Sequence, residues 1–209
     1  MLAKQIPNPA DDIYLDAIAE LLNVGVGSSV SALSEMVDAE VALSVPRVIF
    51  LTREQAITEV THHSTETVAS VQQHFQGPFW GDAALLFPDD KSLALVPAVL
   101  GQPTSTEVCV EMQEEVVVEV GNIILNACLA SLADIFNHSL DISIPEFHSG
   151  TVTEFFQLRR LHHKEDETIL LLNMEFSINE KAIHGYVIFM MDILSVDAFK
   201  AHIDEYLGM

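Results

Sequence analysis

The chain writes one polar pattern twice. Asp16, Glu20 and Asn23 stand in "LDAIAELLNVGVGSS", and 99 residues further on Glu115, Glu119 and Asn122 stand in "QEEVVVEVGNIILNACLAS". Each asparagine is followed by twenty-two residues and then a proline, Pro46 and Pro145, so the repeat is longer than the triad. A period this long points to an ancient duplication rather than a solenoid, which normally stacks three or more short copies. This constrains the fold strongly, because whatever one half builds the other must build again, and the two copies must share one core.

The order of elements repeats as well. "LSVPRVIF" and "ISIPEFHS" alternate apolar residues around the proline, as strands begun or interrupted there. "TETVASVQQHFQ" with "GDAALLFP" and "TILLLNMEFSI" with "GYVIFMMD" read as two hairpins, each followed by an amphipathic helical segment, 89–100 and 195–207. Both segments run out in Leu-Gly, Leu100-Gly101 and Leu207-Gly208, where glycine can take the positive φ of a helix stop. Asn8 and Pro9, followed by Asp11 and Asp12, suit the start of the first long helix. The second starts within the acidic run Glu107–Glu115 and stops near Asn137, whereas 52–66 and 149–167 give no clear period. The expected fold is α+β: a single domain over 1–209 of two pseudo-twofold halves, about 9–101 and 107–208, with antiparallel strands packed against outer helices.

Residues at i, i+4 and i+7 share one helical face, so each triad forms a polar stripe on an otherwise apolar helix. A single E-x-x-N on a helix is an ordinary solvated surface. Two copies at one spacing are not, since a surface drifts after duplication, and asparagine is poor in helix interiors unless it has a task. The triad carries no Ser, Cys, Lys or His nucleophile. A carboxylate and a carboxamide can orient water for attack on a substrate that brings its own activation. The ligand is constrained by charge: nine basic residues against 31 acidic ones, a net charge of -22, repel nucleic acid and anionic lipid alike. No signal peptide and no bilayer-spanning run is expected, because Glu, Asn or Asp breaks each apolar stretch. Two cysteines, Cys109 and Cys128, are too few for a disulfide framework, which suits a reduced, cytoplasmic protein.

The doubled pattern of acid, Glu, Asn and distant Pro resembles the CheC–CheX–FliY family of bacterial chemotaxis phosphatases, and the resemblance covers nearly the whole chain. "NVGVGSS" is close to the family's Asn-Ile-Gly-Ala-Gly run, and "GNI" at 121–123 supports the second copy. Two half-sites are the CheC arrangement; FliY adds a switch domain for which this length leaves no room. Departures are Leu22 where Gly is common, Glu115 where Asp or Ser is usual, and Asn126 where a small residue is expected. The resemblance implies hydrolysis of the aspartyl phosphate of a CheY-type response regulator receiver. That receiver supplies Mg²⁺, a Lys and a hydroxyl, so this chain needs no cofactor or metal of its own. Asn23 and Asn122 would orient the water, Glu20 and Glu119 would pair with the receiver's Lys, and Asp16 and Glu115 would serve docking. CheD, a deamidase partner of some members, is a further partner the resemblance allows. The rivals are a non-catalytic receiver-binding module and a flagellar switch component.

His62-His63 and His162-His163 are poor chelates, since adjacent side chains diverge. Gly25 and Gly27 lack the Lys-Ser of a phosphate loop and are expected to give close helix packing. Met190 and Met191 are expected in the core, and Trp80 at a hairpin turn. Between the half-sites, Gly121 before Asn122 leaves more room for a partner than Leu22 before Asn23, which ranks the second site as the more active.

Overall fold

A computed structural model describes residues 9–63, 67–158, 167–178 and 181–208. In chain order the elements are α1 (Pro9–Val37), β1 (Val41–Leu51), α2 (Arg53–His63), β2 (Thr67–Gln76), β3 (Trp80–Pro88), α3 (Asp89–Val99), α4 (Thr106–Ile135), β4 (Asp141–Ile142), β5 (Glu146–Thr151), α5 (Val152–Leu158), β6 (Glu167–Ile178), β7 (Lys181–Asp192) and α6 (Ile193–Leu207). The expected α+β architecture with two long motif-bearing helices is what the chain forms.

All strands join one antiparallel sheet in the order β1-β6-β7-β3-β2-β4, with β5 also on β2. The halves are therefore interleaved. The first strand of the first half, β1, pairs with β6 of the second, while β4 and β5 of the second half pair with β2 of the first. Each half contributes its hairpin to the middle and lends its proline strand to the other half's hairpin. The prolines mark equivalent irregularities. Register shifts between Ser44 and Arg47 on β1, and β4 breaks from β5 across 143–145. Proline has no N–H to give the ladder, so the strand yields there.

Period-2 alternation sorts the side chains onto two faces. Val71, Phe75, Leu85, Leu172 and Phe189 face a core covered by α1, α3, α4 and α6, whereas Val68, Leu86, Ile169 and Ile188 face a smaller core covered by α2 and α5. The central strand β3 is buried on both faces from Ala83 to Phe87, which gives it a continuous apolar run. At one end of the larger core Phe79, Phe136 and Phe199 meet edge to face, with centroids 5.2–5.8 Å apart.

The helix boundaries have local causes. Ser105 caps α4 by accepting from Val108 N–H, a start earlier and clearer than the acidic run suggested. Asp38 (φ 47°) and Asn137 (φ 52°), again 99 residues apart, take the left-handed conformation just past α1 and α4. Gly101 (φ 65°) and Gly208 (φ 70°) do the same after α3 and α6, as the Leu-Gly endings foretold. The stretches without a clear period, 52–66 and 149–167, contain α2 and α5. Glu154 opens α5 by accepting from the N–H and hydroxyl of Thr151 while Thr151 Oγ1 accepts from Glu154 N–H; these bonds hold its carboxyl below the usual range. Asn8 and His162-His163 lie outside the described residues.

One expectation fails on hydropathy. Ile13–Val37 and Thr106–Ile135 are each long and apolar enough to cross a bilayer. Their apolar residues are instead spent on the larger core: Ile18, Leu22, Val26 and Leu33 from α1, and Val117, Val120, Ile124 and Cys128 from α4. Cys109 and Cys128 are free thiols, both buried, and desolvation pushes Cys128 up to about 12.

Candidate functional site

α1 and α4 pack directly on one another. A Cβ added at Gly25 would stand 2.6 Å from Ser131 Cβ and 2.9 Å from the carbonyl oxygen of Ala127, and Ser131 Oγ donates to the Leu21 carbonyl at 3.3 Å. Gly25 is thus a close-approach glycine, as expected. Gly27 is not: it is exposed, and a Cβ there would meet nothing within 4 Å. The two triad helices are thereby held side by side on the same face of the sheet.

On α1 the separation of faces is clean. Ile18, Leu21, Leu22 and Val26 are buried, and Asp16, Glu20 and Asn23 are exposed. On α4, Val116, Val117, Val120 and Gly121 are buried while Glu115 and Glu119 are exposed. Four of the six triad residues are thus carboxylates facing water, and in each copy the Glu and Asn three residues apart are neighbours, with Cβ atoms about 5–6 Å apart by helix geometry.

The two asparagines differ. Asn23 is exposed, but Asn122 is half-buried, and its Oδ1 accepts from Asn126 Nδ2 at 2.8 Å and from Gln73 Nε2 at 3.3 Å. Gln73 Nε2 lies at 3.3 Å from Asn126 Oδ1 as well and at 3.2 Å from the Ser143 carbonyl oxygen. Sequence reasoning noted Asn126 only as a departure and missed Gln73. A signal was present for Asn126, which continues the i+4 spacing of the stripe; Gln73 stands in β2 beside Gln72 and had none.

The steric grounds for ranking the second site first do not hold. Leu22 has no exposed surface and packs in the core, so it does not stand between Asn23 and a partner. Gly121 is buried too, and it makes room for the sheet: a Cβ there would lie 2.2 Å from Val71 Cγ1. Both residues adjust helix to core, and neither controls access to an asparagine.

Among the described residues no group of three or more His, Cys, Asp or Glu is placed to hold a metal ion, and His62 is exposed on α2. Met190 and Met191 are buried, as expected, and Trp80 opens β3 half-buried.

No family model matches the chain. The flagellar motor switch phosphatase FliY of Bacillus subtilis (strain 168) is 22% identical over 184 residues, which make up 84% of this chain and 46% of FliY. The CheY-P phosphatase CheC of the same organism is 25% identical over 142 residues, 66% of this chain and 68% of CheC. Thermotoga maritima FliY, seen in an X-ray crystal structure, has the same fold, with a TM-score of 0.74 at 17% identity over 98% of this chain and 99% of that one. The chain is thus similar in sequence to FliY and CheC alike and shares the fold of FliY, and it spans about half the length of the Bacillus FliY it matches.

Proposed function

We propose that this chain is a member of the CheC–CheX–FliY family and a cytoplasmic phosphatase that hydrolyses the aspartyl phosphate of a CheY-type receiver, so damping a chemotaxis or related two-component signal. The observation that carries the reading is the exposure of Glu20 and Asn23 as neighbours on a helix whose other side is locked into the core. A rigid helix can present both groups to a partner's site without ordering a loop, which keeps the entropic cost of positioning low. The matches to two proteins named as phosphatases support the same reading.

In this mechanism the receiver brings the phosphoryl group together with its Mg²⁺, Lys and hydroxyl. The Asn23 carboxamide aligns a water with the phosphorus, its oxygen accepting a water hydrogen so that a lone pair points at the reacting atom. Glu20 meets the receiver's Lys in a charge-assisted contact, and Asp16 extends the docking face. Glu115, Glu119 and Asn122 form the corresponding set on α4. The assay is loss of phosphate from a phosphorylated receiver of the same organism. The wild-type chain is expected to accelerate it, and Asn23→Ala combined with Asn122→Ala should remove the acceleration while receiver binding survives. Hydrolysis by that double variant at the wild-type rate would sink the mechanism.

The carboxylates have a separate test, since a contact between opposite charges on two proteins weakens as salt rises. Alanine at both Glu20 and Glu119 should weaken receiver association and flatten its salt dependence. Titrations at two ionic strengths measure both quantities, and an unchanged slope counts against the lysine contact.

A further inference from the structure

We infer that Asn126 and Gln73 clamp Asn122 and hold the second half-site back, an inference that deepens the proposed phosphatase reading and rests on it. The clamp is geometric. Gln73 is buried on β2 and faces α4, where its Nε2 lies within 3.2–3.3 Å of three oxygens: Asn122 Oδ1, Asn126 Oδ1 and the Ser143 carbonyl. The Ser143 carbonyl, a backbone acceptor, sets the Gln73 amide orientation, because the flipped amide would put oxygen against oxygen there; its two hydrogens are then shared among the three oxygens, and Gln73 Oε1 stays buried without a partner. Asn126 then has its oxygen turned to Gln73 and its Nδ2 turned to Asn122 Oδ1 at 2.8 Å. The Asn122 oxygen accepts from both neighbours, so the group this carboxamide has left to offer is its NH₂. An NH₂ holds a water through one of its two lone pairs and offers its hydrogens no acceptor, so it does not turn the remaining lone pair toward phosphorus as a carboxamide oxygen does.

The first half has no amide at either of the two equivalent positions. Asn126 corresponds to Gly27 at the repeat offset of 99. The counterpart of Gln73 follows from strand register. Asp141 pairs with Gln76 as its repeat mate Ala42 pairs with Ser177, and Glu146 pairs with Gln72 as Arg47 pairs with Asn173. Both comparisons relate β2 to β6 by the same step, which sets Met174 against Gln73. Glycine and methionine have no amide to give to a neighbouring carboxamide. Asn126 and Gln73 are thus positioning residues that act through Asn122, and they make the two half-sites chemically unequal although their triads match.

The test removes the first half-site and then loosens the second. In an Asn23→Ala background, Asn126→Ala should raise phosphate loss from the phosphorylated receiver by about five-fold, the change that release of one neutral hydrogen bond produces. Gln73→Met, which keeps the side-chain volume and copies the first half, should act in the same direction. Adding Asn122→Ala to either must erase the gain. No gain in both variants, with folding verified by thermal unfolding, overturns the clamp, as does a gain that survives Asn122→Ala. A readout independent of catalysis is exchange of the Asn126 side-chain amide protons by NMR: they should be protected in the wild type and lose protection in Asn122→Ala. If the wild-type chain itself fails to accelerate phosphate loss, the phosphatase reading fails and the amide exchange alone decides the clamp, with an unprotected Asn126 amide overturning it.

Discussion

Alanine at Asn23 alone is expected to remove most of the proposed phosphatase activity, while alanine at Asn122 alone changes it little. Matching triads by themselves would make the two losses equal, and the glycine beside Asn122 would favour the second site. The surroundings of each amide point the other way. Asn23 is exposed on α1 beside exposed Glu20, whereas Asn122 is half-buried with its oxygen held by Asn126 and Gln73. A water-orienting group acts chiefly in the transition state, so its removal should lower kcat and leave the receiver KM nearly unchanged. The loss at Asn23 should exceed about ten-fold, in the range set by groups that position a nucleophile. Steady-state kinetics of the two single variants on one phosphorylated receiver decide the order. A larger loss at Asn122 would show that the clamped carboxamide is the competent one and that the clamp assists catalysis.

Much of this architecture was legible because its signals are local. The helix stops at Gly101 and Gly208 need only one residue's backbone freedom, and both hairpins announce themselves as pairs of short, apolar-rich segments close together in sequence. α2 was not legible for an equally local reason. Its eleven residues put chiefly Ala56 and Val60 into the smaller core, and two buried positions do not make a period. α5 is shorter still, with adjacent Phe155 and Phe156 both buried. The interleaving of the halves was out of reach, since which hairpin a proline strand joins depends on partners more than about 70 residues away in sequence. The same limit applied to the site. Glu20, Asn23, Glu119 and Asn122 could be picked out by spacing, but the unequal fate of the asparagines depends on Gln73, which approaches from another layer. Gly121 was misread for the same reason: its neighbour Val71 is 50 residues away in sequence.

That glycine carries the second large effect, on stability. Gly→Ala inside a helix ordinarily stabilises by about 0.8–1 kcal/mol through backbone entropy. At Gly121 the sign should reverse. The new methyl would sit 2.2 Å from Val71 Cγ1 and 3.0 Å from Val71 Cβ, and Val71 is fully buried and stiff at χ1. Relief requires α4 to lift off β2 or Val71 to leave its rotamer, and overpacking of this kind costs about 1–3 kcal/mol. Denaturant unfolding of Gly121→Ala should therefore show a lower midpoint with an unchanged m-value. Val71→Ala alone should also destabilise, by opening a small cavity, at about 1–3 kcal/mol. The two changes fit one another, because the added methyl occupies the volume the valine gives up. The double variant should lose less than the two single losses together, with a favourable coupling of about 1 kcal/mol or more between the sites. Additive losses would show that α4 does not rest on Val71 through Gly121. Because α4 also carries Asn122 against Gln73 of the same strand, the rescued double variant should regain protection of the Asn126 side-chain amide along with its stability.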